Sequence, residues 1–248
     1  MSESLPGGLR YSVLGGARSG LAVARLLAAR GARVFLSDIA APEKMQSAAV
    51  ALDAIGVEYE FGVNSRRVLD ADTVVVSPGI PSDAPLVREA LAKGIGIVSE
   101  LEVASWFCPA PVVAITGTNG KTTTTVLTGR MFSDARMASV VAGNIGTAFS
   151  EVVDGLNGDA VAVLEVSSFQ LDYIRSFRPK VAAILNITPD HLDRYQHTFE
   201  NYIASKERVF RNQGAGDVLI YNADDDVTST AVKKGIASPV HLRTAAGE

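Results

Sequence analysis

The chain repeats short runs of β-branched and apolar residues, and each run is followed by a segment with the length and composition of a helix. The runs at 73–79, 112–116 and 180–187 do not alternate between apolar and polar residues, so the strands they predict are buried on both faces. Strands separated by helices indicate right-handed βαβ units in a parallel sheet. We therefore expect an α/β fold.

Two series of such units are predicted rather than one. The chain has 248 residues, which is enough for two ordinary domains. The first series ends with the run at 96–100, so we expect a Rossmann-like domain over 1–99 and a second parallel-sheet domain over 100–248. The segment after the strand predicted at 217–224 closes no further unit, so we expect the second domain to be incomplete.

Composition argues against several classes of function. The formal net charge is −4 and no basic block stands out, which argues against nucleic acid as a partner. No apolar stretch approaches the roughly 20 residues of a membrane span, and the first residues lack the pattern of a secretory signal. The single cysteine, Cys108, is interpreted as a buried core thiol in a reducing compartment rather than as a nucleophile. We expect a cytoplasmic protein with no membrane partner.

The segment "VVAITGTNGKTTTT" joins a predicted strand to a predicted helix. Gly117 and Gly120 let backbone N–H groups approach an anion, and the helix that follows presents unpaired N–H groups and its positive dipole end. Lys121 adds a charge for β- and γ-phosphates, and Thr122 adds a hydroxyl for Mg²⁺. The usual phosphate loop has a glycine where this chain has Ile115, so the alternative is a plain βα turn with a solvent-facing lysine. We interpret the loop as a nucleotide site.

Polar side chains follow several other predicted strands, at the sheet edge where doubly wound folds bind ligands. Taken singly, each has an ordinary structural explanation: a helix cap or surface carboxylate for Glu165, a surface turn for His191 and a solvated helix face for Lys206. Taken with the phosphate loop, Thr122, Glu165 and His191 predict a site for a hard cation. The same stretches also contain Asn144, Ser167, Ser168, Gln170, Asn186, Asp190, Asp193 and Arg194.

The first predicted strand is followed by "GGARSG", which approximates the dinucleotide fingerprint G-x-G-x-x-G with Ala17 in place of the middle glycine. Asp38 ends the second strand, where such folds hold a ribose. An imperfect fingerprint is weak evidence, and it leaves open a NAD-dependent Rossmann oxidoreductase, which is a different class of enzyme. No recognisable proton-relay pair accompanies the fingerprint, which counts against that alternative.

"TGTNGKTT" resembles the variant phosphate loop of the Mur ligase family, which includes folylpolyglutamate synthases and in which the first glycine lies closer to the Gly-Lys pair. "SSFQL" and "NITPDHLDRY" are similar to the MurD-type branch of that family, and the likeness extends from the first strand to "NADDD". The resemblance implies a UDP-substrate domain, a central ATP-binding domain of P-loop type and a C-terminal domain that would lie beyond these residues.

The activity that the resemblance implies is that of an ATP-dependent acid–D-amino-acid ligase (EC 6.3.2 type) in peptidoglycan precursor synthesis. ATP would phosphorylate the carboxylate of UDP-N-acetylmuramoyl-L-alanine, and the amine of D-glutamate would attack the acyl phosphate. Another Mur ligase or a folylpolyglutamate synthase-type ligase remains an alternative. We expect a monomer, and we expect the 248 residues alone to have little or no turnover.

The resemblance also implies roles for individual residues. The ATP phosphates would be held by Gly117, Thr118, Asn119, Gly120, Lys121, Thr122 and Thr123. One Mg²⁺ would lie on Thr122 and Glu165, and a second on His191 and a carbamylated Lys206. The catalytic residues would be Lys121, Asn144, His191 and Lys206. The UDP-substrate would contact Arg18, Ser19, Asp38, Gly79, Asn144, Ser167, Gln170 and His191. The chain departs from many relatives at Ile39 and Ala40, where polar or basic residues are usual after the aspartate.

Overall fold

The computed structural model describes residues 8–234 and 238–242. The elements of the amino-terminal part are β1 (Arg10–Leu14), α1 (Arg18–Ala29), β2 (Arg33–Asp38), α2 (Gln46–Asp53), β3 (Glu58–Phe61), β4 (Thr73–Val76), α3 (Pro85–Ala92), β5 (Gly96–Ser99) and α4 (Glu100–Trp106). Those that follow are β6 (Val112–Thr116), α5 (Lys121–Asp134), β7 (Ser139–Gly143), α6 (Phe149–Val152), β8 (Val161–Glu165), α7 (Ser168–Leu171), β9 (Val181–Ile184), α8 (Phe199–Glu207), β10 (Val218–Asn222), α9 (Asp226–Ala231) and β11 (Ser238–Leu242).

The strands form two sheets, and every strand pair in both sheets is parallel. The first sheet has the order β3-β2-β1-β4-β5, and the second has the order β11-β10-β9-β6-β8-β7. The predicted α/β fold with two parallel sheets is confirmed. In such sheets the loops that follow the strands gather at one edge, which is where ligands bind.

The chain divides into two compact units, each of which is made of more than one segment of the chain. The first unit runs to Phe107 and also takes in Ala148–Asp154 and Tyr173–Arg175, and the second contains the rest from Cys108 onward. The sequence predicts a boundary near residue 99, but α4 lies within the first unit. Buried carboxylates explain this, because Glu100 and Glu102 of α4 accept hydrogen bonds from the two later segments of that unit.

The core of the first unit is built on the inner strands of its sheet. One buried cluster joins Leu14 of β1 and Val76 of β4 to Val87 of α3 and Ile97 of β5. Helix α1 buries its apolar stripe while its polar residues remain outside, as expected of an amphipathic helix on a sheet.

The core of the second unit is centred on β8, whose five residues are all buried. Helix α5 packs with small residues, Thr125 and Gly129, inward. A Cβ at Gly129 would lie only 2.3 Å from Cγ2 of Val141, so glycine is required for this close approach. The larger apolar side chains of the helix, Val126, Leu127 and Met131, are exposed.

Six described elements were not expected from the sequence: β3, α4, α6, α7, α9 and β11. The last two lie beyond β10, where the sequence predicted no further unit, and β11 extends the second sheet. Strand β3 reads "EYEF", and its alternating edge-strand pattern lacks the apolar run of the inner strands. Helix α4 occupies what was interpreted as a connecting segment, and α7 is a single turn held by its own cap. No helix among residues 8–234 and 238–242 is long and apolar enough to cross a membrane.

Candidate active site

The loop between β6 and α5 lies at the carboxyl edge of the second sheet. Gly120 has a φ of 81°, a left-handed conformation that favours glycine, and it immediately precedes the first residue of α5. No side chain caps this helix, so the N–H groups of its first turn remain available to a ligand. The geometry is that of a loop that binds anions.

Lys121 folds back over this loop. Its Nζ donates to the carbonyl oxygens of Gly117 and Thr118, both at 2.9 Å. The Nζ of Lys206, which comes from α8, donates to the same Gly117 oxygen at 2.9 Å. Two lysines that are 85 positions apart in sequence therefore meet at one carbonyl of the phosphate loop.

The segment after β9 holds the loop in place. The Thr118 N–H donates to the carbonyl oxygen of Asn186 at 3.0 Å, and the Asn119 N–H donates to its side-chain oxygen at 2.8 Å. The Thr118 hydroxyl also donates to the Thr188 carbonyl at 3.0 Å. Asn186 was noted in the sequence without a role, and the structure identifies it as a support of the loop.

Glu165 ends β8 and is buried with 2% of its surface exposed. One of its carboxylate oxygens accepts a hydrogen bond from the Thr122 hydroxyl at 2.7 Å, and the other accepts one from Nδ2 of Asn144 at 2.8 Å. The structure thus brings together three residues that the sequence predicted for the site.

This donor set fits Mg²⁺, which is commonly bound by one or two carboxylates together with substrate phosphates. A carboxylate and a hydroxyl at 2.7 Å beside a phosphate loop supply the protein oxygens. Among the described residues no group of three or more His, Cys, Asp and Glu side chains is placed to hold a metal ion. Oxygens of a bound phosphate and water molecules would therefore complete the coordination.

Lys206 is buried on the inner side of α8, with 1% of its surface exposed. Burial, and after it the neighbouring charge of Lys121, lowers the pKa of Lys206 from 10.5 to about 7. Its ammonium group lies 4.7 Å from the centre of the Tyr202 ring. A substantial fraction of Lys206 is therefore a neutral amine near pH 7.

A buried polar network anchors α8 to α7, and the sequence analysis missed it. Asp172 accepts hydrogen bonds from the hydroxyls of Ser205 at 2.6 Å and Tyr195 at 3.1 Å, and the carbonyl oxygen of Ser168, 2.9 Å from the Ser205 oxygen, shares the single Ser205 proton. Burial raises the pKa of Asp172, and burial with the Asp172 charge raises the pKa of Tyr195. Because Ser205 directly precedes Lys206, the network fixes the helix turn that carries this lysine.

His191 lies in a left-handed turn with a φ of 50°. Its Nε2 is 3.6 Å from the Asp190 carboxylate, and its ring centre is 5.2 Å from that of Phe169. Within residues 8–234 no hydrogen bond joins the His191 ring to Glu165 or Lys206. Its predicted part in a second metal site stays a prediction.

Ser167 and Gln170 form reciprocal hydrogen bonds in the structure. They form a capping box around α7, in which the Ser167 hydroxyl accepts from the Gln170 N–H and the Gln170 side-chain oxygen accepts from the Ser167 N–H. Both side chains are buried. This explains why the two residue types occur three positions apart, and it leaves their predicted contact with a substrate as a prediction.

In the first unit, the turn after β1 is as tight as the fingerprint suggests. A Cβ at Gly20 would lie 1.8 Å from the Gly15 carbonyl oxygen, so only glycine fits there. Asp38 ties this turn to the next loop, since its carboxylate accepts the N–H groups of Gly16 at 2.5 Å and Ala40 at 2.7 Å.

The remaining predicted contacts of the first unit lie at the same edge. Arg18 and Ser19 are the first two residues of α1, which has no side-chain cap, and Gly79 follows β4. Ile39 is 71% exposed directly beside Asp38. Cys108, in the second unit, is half-buried rather than fully buried, and burial raises the pKa of its thiol, which disfavours a nucleophilic thiolate.

Family models match both halves of the chain. The model of the Mur ligase middle domain matches residues 115–246, and that of the Mur ligase MurD-like N-terminal domain matches residues 10–99. A curated UDP-N-acetylmuramoylalanine--D-glutamate ligase of Salinibacter ruber is 54% identical over 233 residues, which cover 92% of this chain and 50% of the relative. A protein of the same name from Chloroherpeton thalassium is 47% identical over 89% of this chain and 48% of its own length. The chain spans about half the length of these relatives.

Solved structures share the fold at lower identity. A UDP-N-acetylmuramate:L-alanyl-gamma-D-glutamyl-meso-diaminopimelate ligase from Neisseria meningitides aligns with a TM-score of 0.62 and 18% identity over 96% of this chain and 78% of its own. A UDP-N-acetylmuramate-alanine ligase from Thermotoga maritima aligns with a TM-score of 0.56 and 24% identity, over 96% of this chain and 53% of its own. At these identities the likeness concerns the fold alone.

Proposed function

The chain belongs to the Mur ligase family, and we propose that it carries the ATP site and the UDP-substrate site of a ligase that adds D-glutamate to UDP-N-acetylmuramoyl-L-alanine. The relatives with that name are 46–54% identical to it over most of its length. The observation that carries the proposal is the glycine loop at the start of α5, with Lys121 beside it and with Thr122 hydrogen-bonded to the buried carboxylate of Glu165.

The chemistry requires activation of a carboxylate. A free carboxylate is a poor electrophile because its leaving group would be oxide, so transfer of the γ-phosphoryl group of ATP to it supplies a good leaving group. The attacking carboxylate and the triphosphate are both anionic, and Lys121 and the N–H groups of α5 offset this repulsion where charge develops. The amine of D-glutamate then displaces phosphate and forms the amide bond.

Magnesium, when bound, supplies further positive charge at the transferring phosphoryl group. Thr122 and Glu165 are the residues proposed to hold the first ion, and Asn144 orients Glu165 through their hydrogen bond. His191 and Lys206 are proposed to serve a second ion.

Lys206 can serve a metal only if it ceases to be a cation. A neutral amine adds to carbon dioxide to give a carbamate and a proton, which converts the side chain into an anionic oxygen ligand. The lowered pKa of Lys206 supports this proposal, since the neutral form that reacts is populated near pH 7. A mass increase equal to one carbon dioxide on Lys206, seen by native mass spectrometry in bicarbonate buffer, would support the carbamate. Mg²⁺-dependent nucleotide binding by a Lys206→Ala variant should be partly restored by short carboxylic acids, and no effect of these acids would argue against the carbamate.

The first unit is proposed to hold the UDP group at the carboxyl edge of its sheet, with Arg18, Ser19, Asp38 and Gly79 as contacts. The uncapped start of α1 supports this because its N–H groups suit a diphosphate. Asn144, Ser167, Gln170 and His191 are proposed contacts of the muramoyl-alanine part. Binding of UDP-N-acetylmuramoyl-L-alanine together with a lack of response to NADH would separate this function from that of a Rossmann oxidoreductase.

The test separates the two sites with one substitution. We expect Lys121→Ala to weaken binding of an ATP analogue with Mg²⁺ by about tenfold or more, because it removes charge-assisted contacts to phosphate. Binding of UDP-N-acetylmuramoyl-L-alanine should be unchanged, and a Lys233→Ala control, which removes an exposed lysine of the same unit, should bind both ligands normally. If Lys121→Ala abolished binding of the UDP-substrate while sparing the nucleotide, the assignment of the two sites would be wrong.

A further inference from the structure

A charged cavity lies in the first unit, at the end of the sheet opposite the proposed UDP site. Strands β1 and β2 begin at Arg10 and Arg33, and both residues line a cavity of about 250 Å³. The lining reaches Ser12 and Phe35, the third residue of each strand, so about 7–10 Å of sheet separates the cavity from the carboxyl ends of the two strands. The cavity is lined by Arg10, Tyr11, Ser12, Arg33, Val34, Phe35, Glu58, Arg67 and Asp70.

The two arginines at the start of the strands are direct neighbours. Arg10 pairs with Arg33 in the register of β1 and β2, so the two side chains leave the same face of the sheet side by side. Like charges directly opposite each other on neighbouring strands destabilise a sheet. The Arg10–Arg33 pair therefore lowers the stability of the sheet unless negative charge compensates it.

Neither guanidinium group has a partner in the described part of the chain. No hydrogen bond or ion pair joins the side chain of Arg10 or Arg33 to any residue in 8–234 or 238–242. The third arginine of the cavity, Arg67, differs, since it pairs with Glu58 at 2.6 Å and lies over the Phe35 ring at 4.4 Å.

Arg10, Arg33 and Arg67 outnumber the carboxylates Glu58 and Asp70 in the lining, so the lining has a positive formal charge. Arg67 pairs with Glu58, so Asp70 is the acidic lining residue that remains for Arg10 and Arg33. Asp72 lies outside the lining, where its carboxylate accepts the backbone N–H of Arg10 at 2.8 Å and keeps its negative charge. Two exposed guanidinium groups that leave neighbouring strands on one face of the sheet, with Ser12 and Phe35 in the same lining, are suited to bidentate binding of phosphate oxygens.

We propose that this cavity is a binding site for a small multivalent anion of the phosphate or pyrophosphate class, held between Arg10 and Arg33. The ligand supplies negative charge to the two arginine side chains, and the volume accommodates a diphosphate or a small phosphate ester but not a whole nucleotide sugar. The site is distinct from the proposed UDP site, which uses the other edge of the same sheet.

The proposal is tested with inorganic pyrophosphate in magnesium-free, low-salt buffer. The Lys121→Ala background is used so that the phosphate loop of the second unit contributes little. Calorimetric titration should give a saturable site that weakens by about tenfold or more in Arg10→Gln and in Arg33→Gln, because each loses a charged pair of contacts. Arg88→Gln removes the same charge from an exposed position in the same unit and should bind pyrophosphate normally.

Thermal unfolding without pyrophosphate is a second test, in which the two substitutions should raise stability although they weaken pyrophosphate binding. Because each substitution relieves like-charge repulsion, Arg10→Gln and Arg33→Gln should unfold at a higher temperature than the parent at low salt, and lose the further rise that pyrophosphate gives the parent. Equal pyrophosphate affinity in Arg33→Gln and Arg88→Gln would overturn the proposal. So would a lower unfolding temperature for both cavity variants in the absence of the anion, since that would mean the protein already stabilises the pair.

Discussion

Lys206 is the residue whose role depends most on its surroundings. On a helix with mixed composition, a lysine read from the sequence is usually a solvated residue, and only the family resemblance gave it a metal-binding role. The structure buries it between the phosphate loop and Tyr202, where the charged form is disfavoured. No local pattern in the sequence predicts this, because the burial depends on the Asp172 network that joins α7 to α8.

The burial of Lys206 predicts a pH-dependent stability. Its pKa is lowered to about 7 in the folded protein from 10.5, so between these values the unfolded chain binds a proton that the folded protein does not. The cost of burying the charged lysine is therefore present in full below about pH 7 and is relieved as the pH rises toward 10. In carbon-dioxide-free buffer, wild type should gain stability over Lys206→Met across that range, as measured by urea unfolding at several pH values. A constant difference between the two proteins would show that Lys206 keeps its ordinary pKa.

At the scale of elements, the inner strands were predictable because strands that are buried on both faces have continuous apolar runs. Strand β3 was not, since an edge strand of alternating residues has no such run. Helix α5 was predicted in place, but not its packing: Gly129 faces β7 and Leu127 faces outward, which reverses the usual distribution. The phosphate loop was readable from local glycines, whereas the supports from Asn186 and Thr188 depend on the pairing of β6 with β9.

The end of β7 predicts the effect of a backbone substitution. Gly143 has a φ of 105°, and a Cβ there would lie 2.3 Å from the carbonyl oxygen of Glu165. Gly143→Ala should therefore displace the end of β8 and disturb the Glu165 carboxylate, lowering stability by about 1–3 kcal/mol and weakening Mg²⁺-dependent nucleotide binding. Gly155→Ala is the matched control, since no atom lies within 4 Å of its Cβ position. Equal stability of the two variants would contradict the close approach.

The contact between α4 and α6 predicts a second pH effect. Glu100 is 1% exposed, and burial raises the pKa of its carboxyl group. One carboxylate oxygen accepts the Ser150 N–H at 2.6 Å, and the other has no hydrogen-bond partner in the described chain. Above the ordinary carboxyl pKa the unfolded chain loses a proton that the folded protein retains, so stability falls as the pH rises toward the raised value. Glu100→Gln keeps an acceptor for Ser150 and removes this loss.

The Glu100→Gln variant should therefore exceed wild type in unfolding temperature by an amount that grows as the pH rises above the ordinary carboxyl pKa. Glu43→Gln changes an exposed carboxylate of the same unit and should show no such trend. A difference between the two proteins that does not change with pH would mean that folding does not raise the pKa of Glu100.

At the scale of the whole molecule, both proposed ligands are polyanions and the chain carries a formal net charge of −4. Bulk charge therefore opposes binding, and affinity must come from local donors at the sheet edges. The two parallel sheets supply those edges, one in each unit, and each edge carries a glycine turn followed by an uncapped helix. The sequence predicted this duplication, because both glycine turns are local patterns.

The measurement that tests the account most directly is calorimetric titration of a non-hydrolysable ATP analogue into wild type and Glu165→Gln, with and without Mg²⁺. The account predicts that Glu165→Gln weakens the Mg²⁺-bound analogue by about tenfold or more and leaves the metal-free analogue unchanged or slightly tighter, because a charged metal ligand has been lost beside an anion. Equal affinity of both proteins for the Mg²⁺-bound analogue, or an equal loss with and without Mg²⁺, would contradict the assignment of Glu165 and of the loop at Lys121.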